Sequence, residues 1–310
     1  MSLSPLVSGA LARAGLDPAS VEATVRAALA EDLRWGPDVT TAATVDPEAI
    51  AAGEVRSRAA GVLAGLPVAL AVLDAAGLPA EDVALTAADG DALAPGQLVA
   101  TVRAPLAGLL TAERTLLNFL THLSGVATTT RAWVDAVSGT ACTVRDTRKT
   151  LPGLREMEKY AVRCGGGANH RLGLGDAALV KDNHVAAAGS VTAAVAAVRA
   201  VAPEVPLEVE CDTLAQVGEA LVAGVRLILL DNMTLDDVRA AVALRSSRPD
   251  VRLEASGGMT LGSVAAVAAT GVDFVAVGAL THSSPALDLG LDLPTRPDPR
   301  LAARGPLTPT

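Results

Sequence analysis

Hydrophobic and polar positions follow two regimes along this chain, and the change from one to the other divides it. Asp17, with proline in the first turn after it, opens an amphipathic pattern that predicts a helix over 18–31. The segment 31–41 is rich in turn formers around Gly36-Pro37-Asp38. Period-two alternation predicts a strand over 54–58, with further strands over 83–86 and 97–103. Helical spacing predicts a helix over 67–76 and a long one over 109–137, interrupted near Ser124-Gly125. These elements describe a mixed α+β domain over residues 1–115.

Beyond that point short apolar runs alternate with alanine-rich helical patterns. Strands are expected over 142–146, 177–181, 207–211, 227–231, 252–256 and 274–278, and helices over 191–201, 214–223, 235–245 and 261–269. Strands apolar on both faces, each followed by a helix, argue for a parallel sheet. Glu210, Asp231, Ser256 and Gly278 recur at about one strand–helix unit. An α/β barrel is the natural closure over 116–284, and an open doubly wound sheet is the alternative. The tail, 285–310, is expected to pack back on the first domain.

Composition narrows the function classes. Half the residues are hydrophobic and only 2% aromatic, so the core must be built from Ala, Val and Leu. A net charge of −9 lacks the electrostatic footprint of a nucleic-acid binder. Cys142, Cys164 and Cys211 form an odd, widely spaced set with no disulfide framework, so a reducing, cytoplasmic setting is expected. No secretory pattern opens the chain, and the apolar run over 62–76 carries Pro67 and Asp74, so no membrane partner is expected.

The chemistry gathers at strand ends. The only lysines are Lys149, Lys159 and Lys181, whereas every other basic residue is arginine. Each predicted strand is apolar until a polar group closes it: Asp146 before Thr147-Arg148-Lys149, then Lys181, Glu210, Asp231-Asn232 and Ser256-Gly257-Gly258. In barrels that face carries the active site. Arg148, Lys149, His170, Arg171 and Lys181 supply positive charge for a polyanion, while Glu210 and Asp231 are suited to a hard divalent cation such as Mg²⁺. Ion pairing between those carboxylates and Arg148 or Arg171 is the plainer alternative. Gly165-Gly166-Gly167 precedes His170, and Ser256-Gly257-Gly258 and Val277-Gly278-Ala279 offer main-chain N–H groups to phosphate. Zinc spacing, a GxSxG elbow and a P-loop are all missing.

The blocks Asp146 to Arg155, Gly165 to Arg171, Lys181 to His184, Glu208 to Glu210, Leu230 to Met233, Glu254 to Gly258 and Val277 to His282 resemble the quinolinate phosphoribosyltransferase family, in order along nearly the whole chain. Departures are the longer segment after Glu31, Leu151 and Cys211; none removes a charged group. The resemblance implies an incomplete α/β barrel with an N-terminal α+β sandwich domain. It implies transfer of phosphoribosyl from phosphoribosyl pyrophosphate to quinolinate with loss of CO₂, assisted by Mg²⁺ at Glu210 and Asp231, in a homodimer. Arg148, His170, Arg171 and Lys181 would hold the two carboxylates, Lys149 and Lys181 would face pyrophosphate, and Arg114 would be supplied across the dimer. Lys149, Lys181, Glu210 and Asp231 are the expected catalytic set. Thr147, Ser256, Gly257, Gly258, Val277, Gly278 and Ala279 complete the expected substrate contacts.

Overall fold

Asp17 caps the helix Pro18–Asp32 by accepting hydrogen bonds from the main-chain N–H groups of Ala19 and Ser20, with Pro18 in the first turn. Local signals of this kind account for most elements of the computed structural model, which describes residues 2–293. Its strands, numbered along the chain, begin with β1 (Ile50–Ser57), β2 (Gly61–Val62), β3 (Val83–Leu85), β4 (Ala92–Leu93) and β5 (Leu98–Pro105). They continue with β6 (Thr143–Arg145), β7 (Ala178–Val180), β8 (Leu207–Cys211), β9 (Leu227–Asp231), β10 (Arg252–Ser256), β11 (Phe274–Ala276) and β12 (Leu289–Asp292).

The described residues divide into two units: 2–124 together with 287–293, and 125–286. The division falls inside the helix Leu106–Ala136, later than the expected boundary at 115. In the first unit β12, β1, β5 and β3 form an antiparallel sheet in that order, and β2 pairs with β4. Val55, Val99 and Val102 of this sheet meet Leu66 and Leu73 of the helix Leu66–Ala75 and Leu116 and Leu120 of the long helix. That layer is aliphatic, as the scarcity of rings requires. Within the tail, β12 pairs with β1 over Glu54↔Asp292 to Ser57↔Leu289; the tail from 294 onward lies outside the described residues.

The long helix runs without the interruption expected near Ser124-Gly125. Both residues serve packing instead. The Ser124 hydroxyl, fully buried, donates to the Ala64 carbonyl and accepts the Ala64 N–H. A side chain at Gly125 would meet the Pro285 carbonyl oxygen at 2.1 Å, so glycine there permits close main-chain approach. Two helices were not expected: Val39–Thr44, capped by Asp38, which begins inside the turn-rich segment, and Arg155–Cys164, where no element was read. The second hid because its inward face includes Glu158 and Lys159, both fully buried, which break the apolar stripe.

In the second unit all strand pairs are parallel, in the order β6-β11-β10-β9-β8-β7. Five strands lie in chain order from β7 to β11, and β6 joins the far edge beside β11. No ladder pairs β6 with β7 among the described residues, so the sheet is an incomplete barrel, with Ala168 bridging to Arg145 at the open edge. No single helix among the described residues is long and apolar enough to cross a membrane.

Gly165 ends the helix Arg155–Cys164, and a Cβ there would stand 2.5 Å from the Ala127 carbonyl oxygen and 2.6 Å from Thr130 Cβ. Gly165→Ala should lower stability by ~1–3 kcal/mol through overpacking. Gly175→Ala, with nothing within 4 Å of the new methyl, should be near neutral. Urea unfolding of the two variants distinguishes these outcomes.

Candidate active site

The carboxyl ends of the parallel strands open on a cavity of about 540 Å³. Thr147, Arg148 and Lys149 reach it from the end of β6, and Lys181 from the end of β7, the two outermost strands of the sheet. Residues at opposite edges can share one cavity only because the sheet is rolled. His170 and Arg171 enter from the loop at the open edge, Glu210 from β8, Asp231 from β9, and Ser256, Gly257 and Gly258 from the end of β10. Leu179, Leu229 and Ala276 supply apolar wall.

Four expected contacts do not line it. Arg114 belongs to the first unit, where its side chain is 67% exposed. Val277, Gly278 and Ala279 stand behind the rim: a Cβ on Gly278 would lie 2.9 Å from Lys149 Cδ and 3.4 Å from Thr147 Oγ1. The absence of a side chain at Gly278 lets the Lys149 loop settle, and Thr281 donates from its hydroxyl to the Lys149 carbonyl at 2.7 Å.

The positive flank is built at the expense of charge repulsion. Arg148 and Arg171 each keep a buried Nε–H without a hydrogen-bond partner. Arg171 donates from Nη1 to the Ala177 carbonyl at 3.0 Å. Burial, and then the neighbouring Arg148 cation, hold its pKa below the ordinary arginine range. Neither guanidinium pairs with Glu210 or Asp231, so the ion-pair alternative fails. Lys181 instead contacts Glu210 Oε2, and Asp231 Oδ2 accepts from Asn232 Nδ2 at 2.7 Å. Asn232 is held at φ 51°, and a side chain on Gly257, at φ 91°, would meet its Oδ1 at 2.2 Å. That crowding accounts for glycine at 257.

Three sequence readings are corrected. Asp146, fully buried, does not point into the mouth. It accepts from Lys159 Nζ at 2.5 Å, Asn169 Nδ2 at 2.6 Å and the His170 N–H at 2.7 Å. Lys159, equally buried, is therefore structural, and burial pulls its pKa down against the Asp146 charge. His170 is not among the cations. Its Nδ1 accepts the Arg171 N–H at 2.7 Å, so the ring proton lies on Nε2, which is 2.7 Å from Glu208 Oε2. His184 accepts the Lys181 N–H at 2.9 Å and caps the helix Asp182–Ala188.

Sequence reasoning missed Glu208 and Glu254 as site residues. Both are buried; Glu254 lines the cavity and pairs through Oε2 with Arg145 Nη1 at 2.6 Å. Burial, then the Glu208 charge, push the Glu254 carboxyl up to about 7, against the pull of Arg145. Period-two spacing carried the signal: Glu208 shares a strand face with Glu210, and Glu254 with Ser256. His170, Glu208 and Glu254 bring donor atoms within 4.8 Å of one another, a metal-like spacing. Arg145 already occupies one Glu254 oxygen and His170 one Glu208 oxygen, while Oε1 of each carboxylate is buried without a hydrogen-bond partner.

Residues 38–124 match the family model for the quinolinate phosphoribosyl transferase N-terminal domain, and residues 126–292 that for its C-terminal domain. The chain is 57% identical over 272 residues to the nicotinate-nucleotide pyrophosphorylase [carboxylating] of Mycobacterium leprae, covering 87% of this chain and 96% of that protein. It is 39% identical over 282 residues to the human protein of that name, covering 90% and 93%. Among solved structures, the nicotinate-nucleotide pyrophosphorylase from Francisella tularensis superposes with a TM-score of 0.82 at 36% identity, over 89% of this chain and 96% of that one.

Two outcomes follow from the buried groups. Because the fold raises the Glu254 pKa, the folded state keeps a proton that the unfolded chain releases above its ordinary 4.5. Stability from this source is full below that value and is lost as pH rises through about 7. Relative to Glu254→Gln, the natural protein should lose ~3 kcal/mol between pH 4.5 and 8, read by urea unfolding at stepped pH. A difference independent of pH would contradict this origin. Burial also pushes the Cys142 and Cys211 thiols up to about 12. In native protein at pH 8, iodoacetamide should leave both unmodified, and mass spectrometry should find them labelled only on unfolding.

Proposed function

Since the chain belongs to the quinolinate phosphoribosyltransferase family, we propose that this cavity holds quinolinate beside phosphoribosyl pyrophosphate and joins them. The products are nicotinate mononucleotide, pyrophosphate and CO₂, a step in NAD biosynthesis. The pair Arg148 and Arg171 carries the reading, because each keeps a buried Nε–H unpartnered in a cavity where both side chains converge. Two such donors match a ring with two carboxylates, whereas nicotinate would leave one buried cation unmatched.

The remaining roles follow from placement and charge. Lys149 and Lys181 face pyrophosphate, with Thr147 beside them. The main chain at Ser256, Gly257 and Gly258 is open enough to approach the ribose phosphate. His170 contributes by fixing Arg171. Glu210 and Asp231, oxygen donors at the ends of neighbouring strands, are the donor type that Mg²⁺ takes. When bound there the ion would offset charge on pyrophosphate. Lys181 must then leave Glu210, which it contacts in the free cavity.

As pyrophosphate departs, positive charge grows on the ribose carbon, and the acidic flank stabilises it. Arg148 and Arg171 meanwhile keep the ring nitrogen aligned for attack. Once ribosylated, that nitrogen is cationic and stabilises the electron pair left when the adjacent carboxylate departs as CO₂. The carbon then takes up a proton. Orientation and charge complementarity are the work of the protein. The assembly is a cytoplasmic homodimer in which exposed Arg114 completes the partner's site.

The decisive assay follows pyrophosphate release with quinolinate, phosphoribosyl pyrophosphate and Mg²⁺. Turnover should stop with chelator and return with added Mg²⁺; indifference to chelator removes the metal role. Nicotinate in place of quinolinate should give no product. Arg148→Ala should lower kcat/KM at least ~100-fold, since a buried charged hydrogen bond is lost. Hybrid dimers of Arg114→Ala with Arg148→Ala should regain activity; confirmed hybrids that stay inactive remove Arg114 from the partner's site.

A further inference from the structure

Below the ligand contacts lies a group that neither substrate nor metal binding uses. Glu254 is fully buried on β10, two residues before Ser256. Its Oε2 accepts from Arg145 Nη1 at 2.6 Å, and its Oε1 lies 3.4 Å from His170 Nε2. Glu208, from β8, takes the His170 Nε2–H at 2.7 Å. Arg145, from β6, stacks over the Phe274 ring at 4.8 Å, so its guanidinium has little freedom to follow a displaced partner. The buried Cys142 thiol also feels the Glu254 charge. Glu254 thus faces one anion, one cation, one imidazole and one neutral thiol.

The His170 ring is constrained on both nitrogens. The Arg171 N–H donates to Nδ1 at 2.7 Å, and the His170 N–H is taken by Asp146 at 2.7 Å. Only a neutral ring with its proton on Nε2 satisfies these partners together. A proton on Nδ1 would oppose the Arg171 N–H and push away the main chain that carries the Arg171 guanidinium.

We propose that Glu254 is a positioning residue for the dicarboxylate subsite, holding His170 with Glu208 and Arg145 in the tautomer that fixes the Arg171 main chain. The inference rests on the quinolinate reading above. Removing the Glu254 carboxyl leaves Arg145 unpaired and takes away the second carboxylate beside Nε2, 3.4 Å off, so that only the Glu208 hydrogen bond holds the ring from that side. The ring then turns, and Arg171 loses its setting while Lys149 and the Ser256 to Gly258 main chain keep theirs. The effect therefore falls on one substrate and spares the other.

The test compares full-length natural protein, Glu254→Ala and Glu254→Gln. Each substrate is varied separately in the steady state, and ¹⁵N-histidine spectra are recorded without ligands. The His170 signals are assigned by their loss in His170→Asn. Glu254→Ala should raise KM for quinolinate at least ~10-fold, the loss of about one charged hydrogen bond, with KM for phosphoribosyl pyrophosphate within twofold. Glu254→Gln, which keeps an acceptor for Arg145, should return most of that loss. The spectra should report a bare Nδ1 and a protonated Nε2 in the natural protein and Glu254→Gln, and a changed ring in Glu254→Ala. An imidazolium or Nδ1–H ring in the natural protein overturns the proposal, even if Glu254→Ala does not fold. So does a parallel loss across both substrates and kcat in a folded Glu254→Ala. Natural protein with the expected ring but no quinolinate turnover would sink the ligand reading alone.

Discussion

A carboxylate sealed from solvent, Asp146, ties the site together. Three groups from two segments donate to it: Lys159 from a helix, and the Asn169 side chain and the His170 main chain from the loop that follows. The same strand end then continues into Arg148 and Lys149. An ion pair removed from water contributes little net stability, yet leaving either member alone costs several kcal/mol. The pair is therefore a fastener more than a source of stability. It sets the distance between the two arginines, and everything proposed for the substrate ring depends on that distance.

Around this fastener the molecule sorts its charge by depth. Beneath the cavity Glu208, Glu254 and Arg145 make a polar layer, each buried or nearly so, in which Arg145 pairs with Glu254 and one oxygen of each carboxylate keeps no hydrogen-bond partner. At cavity level Arg148 and Arg171 remain unsatisfied at Nε, and Lys181 leans on Glu210. The acids below hold the support, and those at the rim face the ligands. An acidic chain can thus present a cationic pocket without a basic surface, because only the local field at the pocket matters to a small polyanion.

Much of this was readable along the chain. β8, β9 and β10 carry the bounds read from the sequence, since each is a short, mostly apolar run with its site residue, Glu210, Asp231 or Ser256, at or next to its carboxyl end. Eleven of the expected site residues converge, and nine of them do so for the same reason: a strand end is a position in space as well as in sequence. What escaped has a common physical cause. Ser124-Gly125 read as a breaker because local propensity cannot see the Pro285 carbonyl that approaches it. Asp146 read as facing the cavity because a charge destined for a buried partner looks like a charge destined for a ligand. His170 counted as a cation because its tautomer is decided by the N–H of the next residue.

The unpaired edge between β6 and β7 gives the substrate loop an unusual standing. Ala168 donates its N–H to the Val144 carbonyl at 2.9 Å and accepts the Asp146 N–H at 3.1 Å, so the loop stands in for a missing strand. Ordinary surface loops change length freely, because nothing downstream registers the change. Here one inserted residue would shift the hydrogen-bonding phase against β6 and turn His170 and Arg171 to the other side. Recognition at this rim is thus tied to sheet register, and the segment that reads the ligand has little freedom to drift.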